Sequence, residues 1–155
     1  DTMKPGSSSP PMLHRWVIDQ DKGTVTETQL DDRVVDFSRV CDTVVGMKNR
    51  YGYTAAFSSG GPFAEGFVKY DLEKGNSQFH DLSGGQGSEP VFVKDPAGSS
   101  EDDGWVLSYV YQPETNTSEI VIVDSRSFDK EPAARIHIPV RVPAGFHGNW
   151  VPDGY

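Results

Sequence analysis

The sequence predicts an all-β fold: a partial β-propeller of about two four-stranded antiparallel blades plus part of a third. Three observations carry that reading. Strand-like phrases recur with a period of about 52 residues. Segments with helical periodicity are essentially absent. Sixteen glycines and 11 prolines punctuate the chain at the intervals expected of turns between strands.

The elements can be justified in order. Residues 1–11, rich in Ser, Pro and Gly, read as a flexible lead-in, and residues 12–155 as the blades. Residues 13–19 alternate apolar and polar side chains, turn at Asp21-Lys22-Gly23 and resume over 24–30, which is a β-hairpin signal. The phrase returns over 67–71, the turn Glu73-Lys74-Gly75 and 77–82. It returns again over 120–124, a longer turn through Asp129-Lys130, and 134–138. Asp19, Asp71 and Asp124 mark one station, spaced by about 52 residues.

The strand ahead of each hairpin repeats as well. Gly52-Tyr53-Thr54-Ala55-Ala56-Phe57 maps onto Gly104-Trp105-Val106-Leu107-Ser108-Tyr109, and before it Asp36-Phe37 is echoed by Glu89-Pro90. Each unit therefore reads as a short inner strand, two long strands and an outer strand, the make-up of a propeller blade. Ser58-Ser59-Gly60-Gly61 and Ser83-Gly84-Gly85-Gln86-Gly87 read as turns between strands. Because propellers close with about four to eight blades, this chain leaves blade edges open. Such edges are expected to drive self-association or pairing with an N-terminal half.

Composition removes several function classes. A formal net charge of −9 argues against a nucleic-acid partner, since binding phosphates needs clustered Lys and Arg. The acidic residues are dispersed and read mainly as a solvating surface. No run approaches the roughly 20 apolar residues of a transmembrane helix, and no charged-then-apolar signal pattern opens the chain. A cytoplasmic location is the expectation. The single cysteine, Cys41, excludes an internal disulfide and a cysteine-built zinc site, and reads as structural. P-loop, dinucleotide and nucleophile-elbow signatures are all missing.

Four histidines remain. His14, His80 and His137 lie within predicted strands at no metal-motif spacing, and read as surface or packing groups. His147 differs because it follows the last strand, on a Pro143-Ala144-Gly145-Phe146 turn that can carry it off the blade. Its residue type alone leaves metal ligand, proton shuttle and surface group all open. Ligating imidazoles donate their second N–H to a carboxylate, and the repeat offers Glu89 and Asp36 at equivalent inner-strand stations.

Three segments carry a family resemblance: Ser88-Glu89-Pro90-Val91-Phe92-Val93, Glu101-Asp102-Asp103-Gly104-Trp105-Val106-Leu107-Ser108 and Val142-Pro143-Ala144-Gly145-Phe146-His147-Gly148. Weaker echoes are Val35-Asp36-Phe37-Ser38-Arg39-Val40 and Arg50-Tyr51-Gly52-Tyr53. In order and spacing the chain resembles the C-terminal part of the carotenoid cleavage oxygenases, the family that includes lignostilbene dioxygenases and the retinal pigment epithelium isomerase.

The resemblance implies a seven-bladed propeller that holds a non-haem Fe(II) through four histidines, and cleavage of a conjugated C=C bond with O2. The substrate it implies is an apolar polyene or stilbene: a carotenoid, an apocarotenoid or a stilbene. His147 is similar to the last iron histidine. Glu89 is similar to one of three glutamates that orient the ligands. Asp36 falls where the family has a Glu-Phe-Pro motif; here Asp36-Phe37-Ser38 stands instead, one methylene shorter and without the proline. The other three iron histidines belong to blades this sequence does not contain, so the chain alone is expected to be catalytically inactive and not to retain iron. The alternative function is a non-catalytic β-rich module for binding or assembly.

Overall fold

A computed structural model describes residues 10–58 and 61–153. Its strands are β1 (His14–Asp19), β2 (Thr24–Gln29), β3 (Val35–Arg39), β4 (Tyr51–Phe57), β5 (Ala64–Asp71), β6 (Asn76–Asp81), β7 (Gln86–Gly87), β8 (Val91–Lys94), β9 (Gly104–Gln112), β10 (Thr117–Asp124) and β11 (Ala134–Ile138). The described residues contain no α-helix, only two short 3-10 turns at Asp42–Val44 and Ser125–Ser127. All strand pairing is antiparallel. Strands β3-β4-β5-β6 form one four-stranded blade and β8-β9-β10-β11 the next. The hairpin β1–β2 is a separate pair, the outer half of a third unit. Most of the expected lead-in, residues 1–9, lies outside the described residues; at its end, the Pro11 carbonyl accepts the Val35 N–H at 3.0 Å.

The repeated aspartate has a local physical cause. Asp19 Oδ1 accepts the Lys22 N–H at 3.0 Å, Asp71 Oδ1 accepts those of Glu73 and Lys74 at 3.2 and 3.1 Å, and Asp124 Oδ1 accepts that of Arg126 at 2.8 Å. In each unit a short carboxylate ends a strand by bonding the backbone of the turn that follows. Gly23 and Gly75 then take φ of +62° and +66°, the left-handed region that glycine enters without a steric penalty.

One expected turn is in fact a strand. Gln86 and Gly87, read from sequence as loop, form β7, which pairs with β5 at Ala64↔Gly87 and with β9 at Gln86↔Tyr111 and Gly87↔Val110. The two blades thereby share one hydrogen-bonded path. A Cβ at Gly87 would come within 2.7 Å of Leu82 Cδ1 and 3.1 Å of the Phe67 ring, so a larger residue there would have to displace those buried side chains.

The core is the seam between the two blades. Tyr53 and Phe67 from the first blade meet Phe92, Val106, Val110, Val121 and Val123 from the second, with Leu82, Phe128 and the buried Cys41 filling between them. Tyr53 and Phe92 stack at 4.9 Å between ring centroids, 8° from parallel. A smaller cluster on the other face of the first blade (Val35, Ala56, Val68 and Tyr70) packs against Leu13 beside the β1–β2 hairpin. That hairpin leaves Trp16, Val17, Ile18 and Val25 exposed, as expected for half a blade.

The acidic run before β9 is not a solvating patch; it clamps the seam. Both carboxylate oxygens of Glu101 accept the Arg50 N–H at 3.0 Å, and Oε1 also accepts that of Tyr51 at 2.8 Å. Asp102 Oδ2 accepts from the buried Lys69 ammonium at 2.6 Å, and Lys69 also donates to the Ser125 carbonyl at 2.7 Å and lies 4.5 Å from the centre of the Tyr51 ring. Asp103 accepts the N–H groups of Ser99 and Ser100. The signal was in the sequence: a period of two places Lys69 on the face of Phe67, so a buried cation there needs an anion from the facing blade.

Acid should therefore loosen this seam. Burial pushes the Asp102 carboxyl up, but hydrogen bonds from Lys69 and Ser100 outweigh it and hold it below its ordinary value of 3.8. Hydrogen bonds from Arg50 hold Asp71 well below the same value, and burial lowers His80 from its ordinary 6.5. For each group the unfolded chain binds protons more readily than the folded one, so stability is lost as pH falls. Urea midpoints should decline first below about pH 6.5, where His80 must charge on unfolding, and more steeply below about 3.8, as the carboxylates of the clamp protonate. Lys69→Met should cost about 1.5–3 kcal/mol at neutral pH by leaving the half-buried Asp102 without its cation; adding Asp102→Asn should recover part of that loss in the same urea titration.

Candidate functional site

Both inner strands carry one extra residue at the acid station. In the first blade the register passes from Asp36↔Ala55 to Arg39↔Tyr53, three steps on β3 against two on β4. In the second it passes from Gly87↔Val110 to Val91↔Leu107, four steps against three. Each is a β-bulge, a device that re-aims a side chain out of the ladder. The first is made by Phe37, which takes φ of +54°, and the Asp36 carboxylate accepts the Phe37 N–H at 2.8 Å to support that turn. The second contains Pro90, which has no N–H to lose from a ladder.

After β11 the chain returns across the second blade. Arg141 lies 5.0 Å over the Tyr111 ring, and the Val142 N–H donates to Ser118 Oγ at 2.9 Å. Tyr111 and Ser118 are cross-strand partners on the face turned away from Val110 and the seam. From that face the segment reaches the inner edge, where the Gly148 N–H donates to Glu89 Oε2 at 2.7 Å and Asn149 Oδ1 accepts from Arg39 at 3.0 Å.

His147 is thereby set between the two blades. Its Nδ1 lies 3.4 Å from Glu89 Oε2, and its ring meets Phe37 edge to face, with centroids 5.6 Å apart and planes at 89°. The Glu89 side chain is 4% exposed and that of His147 74%. A buried anion thus faces one ring nitrogen while the rest of the imidazole is open, the arrangement in which a carboxylate fixes the tautomer and leaves Nε2 free to ligate.

The structure brings together two of the three sequence-expected residues. Asp36 stands at the matching bulge but, among the described residues, has no ion pair with a histidine; its Oδ1 accepts the Phe37 N–H. The remaining histidines have other occupations. His80 is buried, with Nδ1 3.1 Å from the Phe128 carbonyl oxygen and its ring stacked on Phe67. His14 lies 2.7 Å from Glu27, and the exposed His137 lies 3.5 Å from Glu119. Sequence reasoning missed Arg39, whose Nη1 lies 3.4 Å from Glu89 Oε1; only the bulge explains why it faces that way.

Among the described residues no group of three or more His, Cys, Asp and Glu side chains could hold a metal ion. The donor set fits one vertex of a metal site, an imidazole with its carboxylate behind it, and no more. A cleft of about 420 Å³ is lined by Lys69, Asp71, Asp102 and Arg126 among others, but none of the residues around His147 lines it. No helix among the described residues is long and apolar enough to cross a membrane.

The Glu89–Gly148 bond anchors the returning segment, and hydrogen bonds to a charged group contribute about 1.5–3 kcal/mol. Glu89→Ala should therefore raise hydrogen exchange at the Gly148 amide by roughly ten- to a hundredfold, read by NMR, while amides of β9 and β10 keep their protection.

Known proteins are similar to this chain in sequence and in fold. The carotenoid cleavage oxygenase of Mycobacterium tuberculosis is 35% identical over 159 residues, covering 98% of this chain and 31% of that protein. The apocarotenoid-15,15'-oxygenase of Synechocystis is 33% identical over 153 residues, covering 97% of this chain and 30% of its own length. The crystal structure of cobalt-substituted Synechocystis apocarotenoid oxygenase superposes with a TM-score of 0.87 at 31% identity, over 97% of this chain and 32% of that one. The chain thus spans a little under a third of the length of these two relatives. The model of the retinal pigment epithelial membrane protein family matches residues 1–152. With nearly every residue inside that match, the chain belongs to the retinal pigment epithelial membrane protein family.

Proposed function

We propose that the chain is the C-terminal portion of a non-haem Fe(II) oxygenase that cleaves a conjugated C=C bond of a carotenoid, apocarotenoid or stilbene with O2. The observation that carries this reading is His147, with Nδ1 turned to the buried Glu89 and the rest of its ring open. The relatives named as carotenoid and apocarotenoid oxygenases support the reaction class, and the cobalt-substituted form of one of them supports a metal in it.

Ferrous iron, when bound, supplies the redox chemistry by which O2 adds across the double bond to give two carbonyl products. His147 would hold it through Nε2. Glu89, with Oε2 3.4 Å from Nδ1, would orient the imidazole. Asp36, at the equivalent bulge of the neighbouring blade, would orient a histidine supplied from outside this chain. The edge of Phe37 limits how far the His147 ring can turn. One imidazole holds ferrous iron poorly, so the chain by itself is inactive in this reading. The exposed β1–β2 hairpin and the chain's share of its relatives' length support a larger parent protein.

His147→Ala in the intact protein should abolish iron binding and cleavage with the fold retained, measured by metal analysis and product chromatography. Unchanged cleavage would favour the rival reading, a non-catalytic binding or assembly module. The isolated chain should carry no stoichiometric iron after dialysis; tightly held iron would overturn the claim that it is incomplete.

A further inference from the structure

We infer that Arg39 is a positioning residue for His147. On the unbulged part of β3, Val35 pairs with Ala56 and faces the cluster beside the β1–β2 hairpin. Without the extra residue, Arg39 would pair with Gly52 and point to that side. The bulge pairs it with Tyr53 instead, and cross-strand partners share a face, so Arg39 emerges toward the seam where Tyr53 is buried. One inserted residue thus carries the guanidinium from one side of the blade to the other.

There Arg39 completes a closed set of contacts. Nη1 approaches Glu89 Oε1 at 3.4 Å, Nη2 donates to Asn149 Oδ1 at 3.0 Å, and the exposed Asp42 lies 3.9 Å from Nη2. Glu89 divides its oxygens: Oε1 faces Arg39, while Oε2 takes the Gly148 N–H and faces His147 Nδ1. The guanidinium therefore does two things. It keeps Glu89 from rotating Oε2 away from the imidazole, and it holds Asn149, two residues past His147, so that the segment is fixed just after the ring at Asn149 as well as at Gly148. The planar fork suits this task better than an ammonium would, because two acceptors are engaged at once.

The inference rests on the reading of His147 as a ligand, but its test needs no metal. In the metal-free protein, long-range 1H–15N NMR reports which His147 nitrogen carries the proton, and exchange of the Gly148 amide reports the anchor. Arg39→Met should shift the tautomer ratio toward that of free imidazole and raise Gly148 exchange about tenfold; Arg39→Lys should restore part of both. Asn149→Ala, an exposed change with no effect on charge, should raise the same exchange to a smaller extent and serves if Arg39→Met does not fold. An unaltered tautomer ratio and exchange rate in Arg39→Met, or in Asn149→Ala where that variant stands in, would overturn the inference. Absence of iron from the intact wild-type protein would overturn the proposed function and leave this test intact.

Discussion

The face-to-face packing of two blades across Tyr53 and Phe92 is the constraint on which everything else rests. Neither blade alone owns a site. Arg39 and Phe37 come from the inner strand of the first, Glu89 from that of the second, and they meet only when the aromatic seam has closed. Aromatic burial supplies the drive, being worth more than area alone when rings stack with an offset. The charged clamp of Glu101, Asp102 and Lys69 supplies register, because a buried ammonium tolerates few placements of its partner. One interaction brings the sheets together; the other fixes where they stop.

Much of this was legible before any coordinates. The period of about 52 residues located all three hairpins, and the aspartate that marks each unit proves to be the residue that ends a strand and shapes its turn. The blade architecture followed from that repeat. Glu89 and His147 were legible as a pair because an acid beside a proline in an apolar strand, and a histidine after the last strand, both lack a packing explanation.

What sequence left hidden shares one physical origin: it depends on register, which alternation of side chains reports only while the ladder is regular. β7 was read as a turn because Gly84, Gly85 and Gly87 carry no pattern, although Gln86 and Gly87 pair with strands of both blades. The bulges at Phe37 and Pro90 break the period of two, so the facing of Arg39 could not be read by counting. Asp36 matched its station in the repeat, and its Oδ1 accepts the adjacent Phe37 N–H, a contact the repeat did not show. Position in a repeat does not fix what an acid touches.

The returning segment has a consequence for how the molecule is made. Arg39 and Asn149 are separated by 110 residues, and Glu89 and Gly148 by 59. The entropy of closing such loops must be offset before their contacts contribute anything, and the seam carries the same cost, since Tyr53 and Ser125, bonded across it, stand 72 residues apart. The segment that carries His147 is thus held by residues far from it in sequence, so its seat exists only in the folded chain.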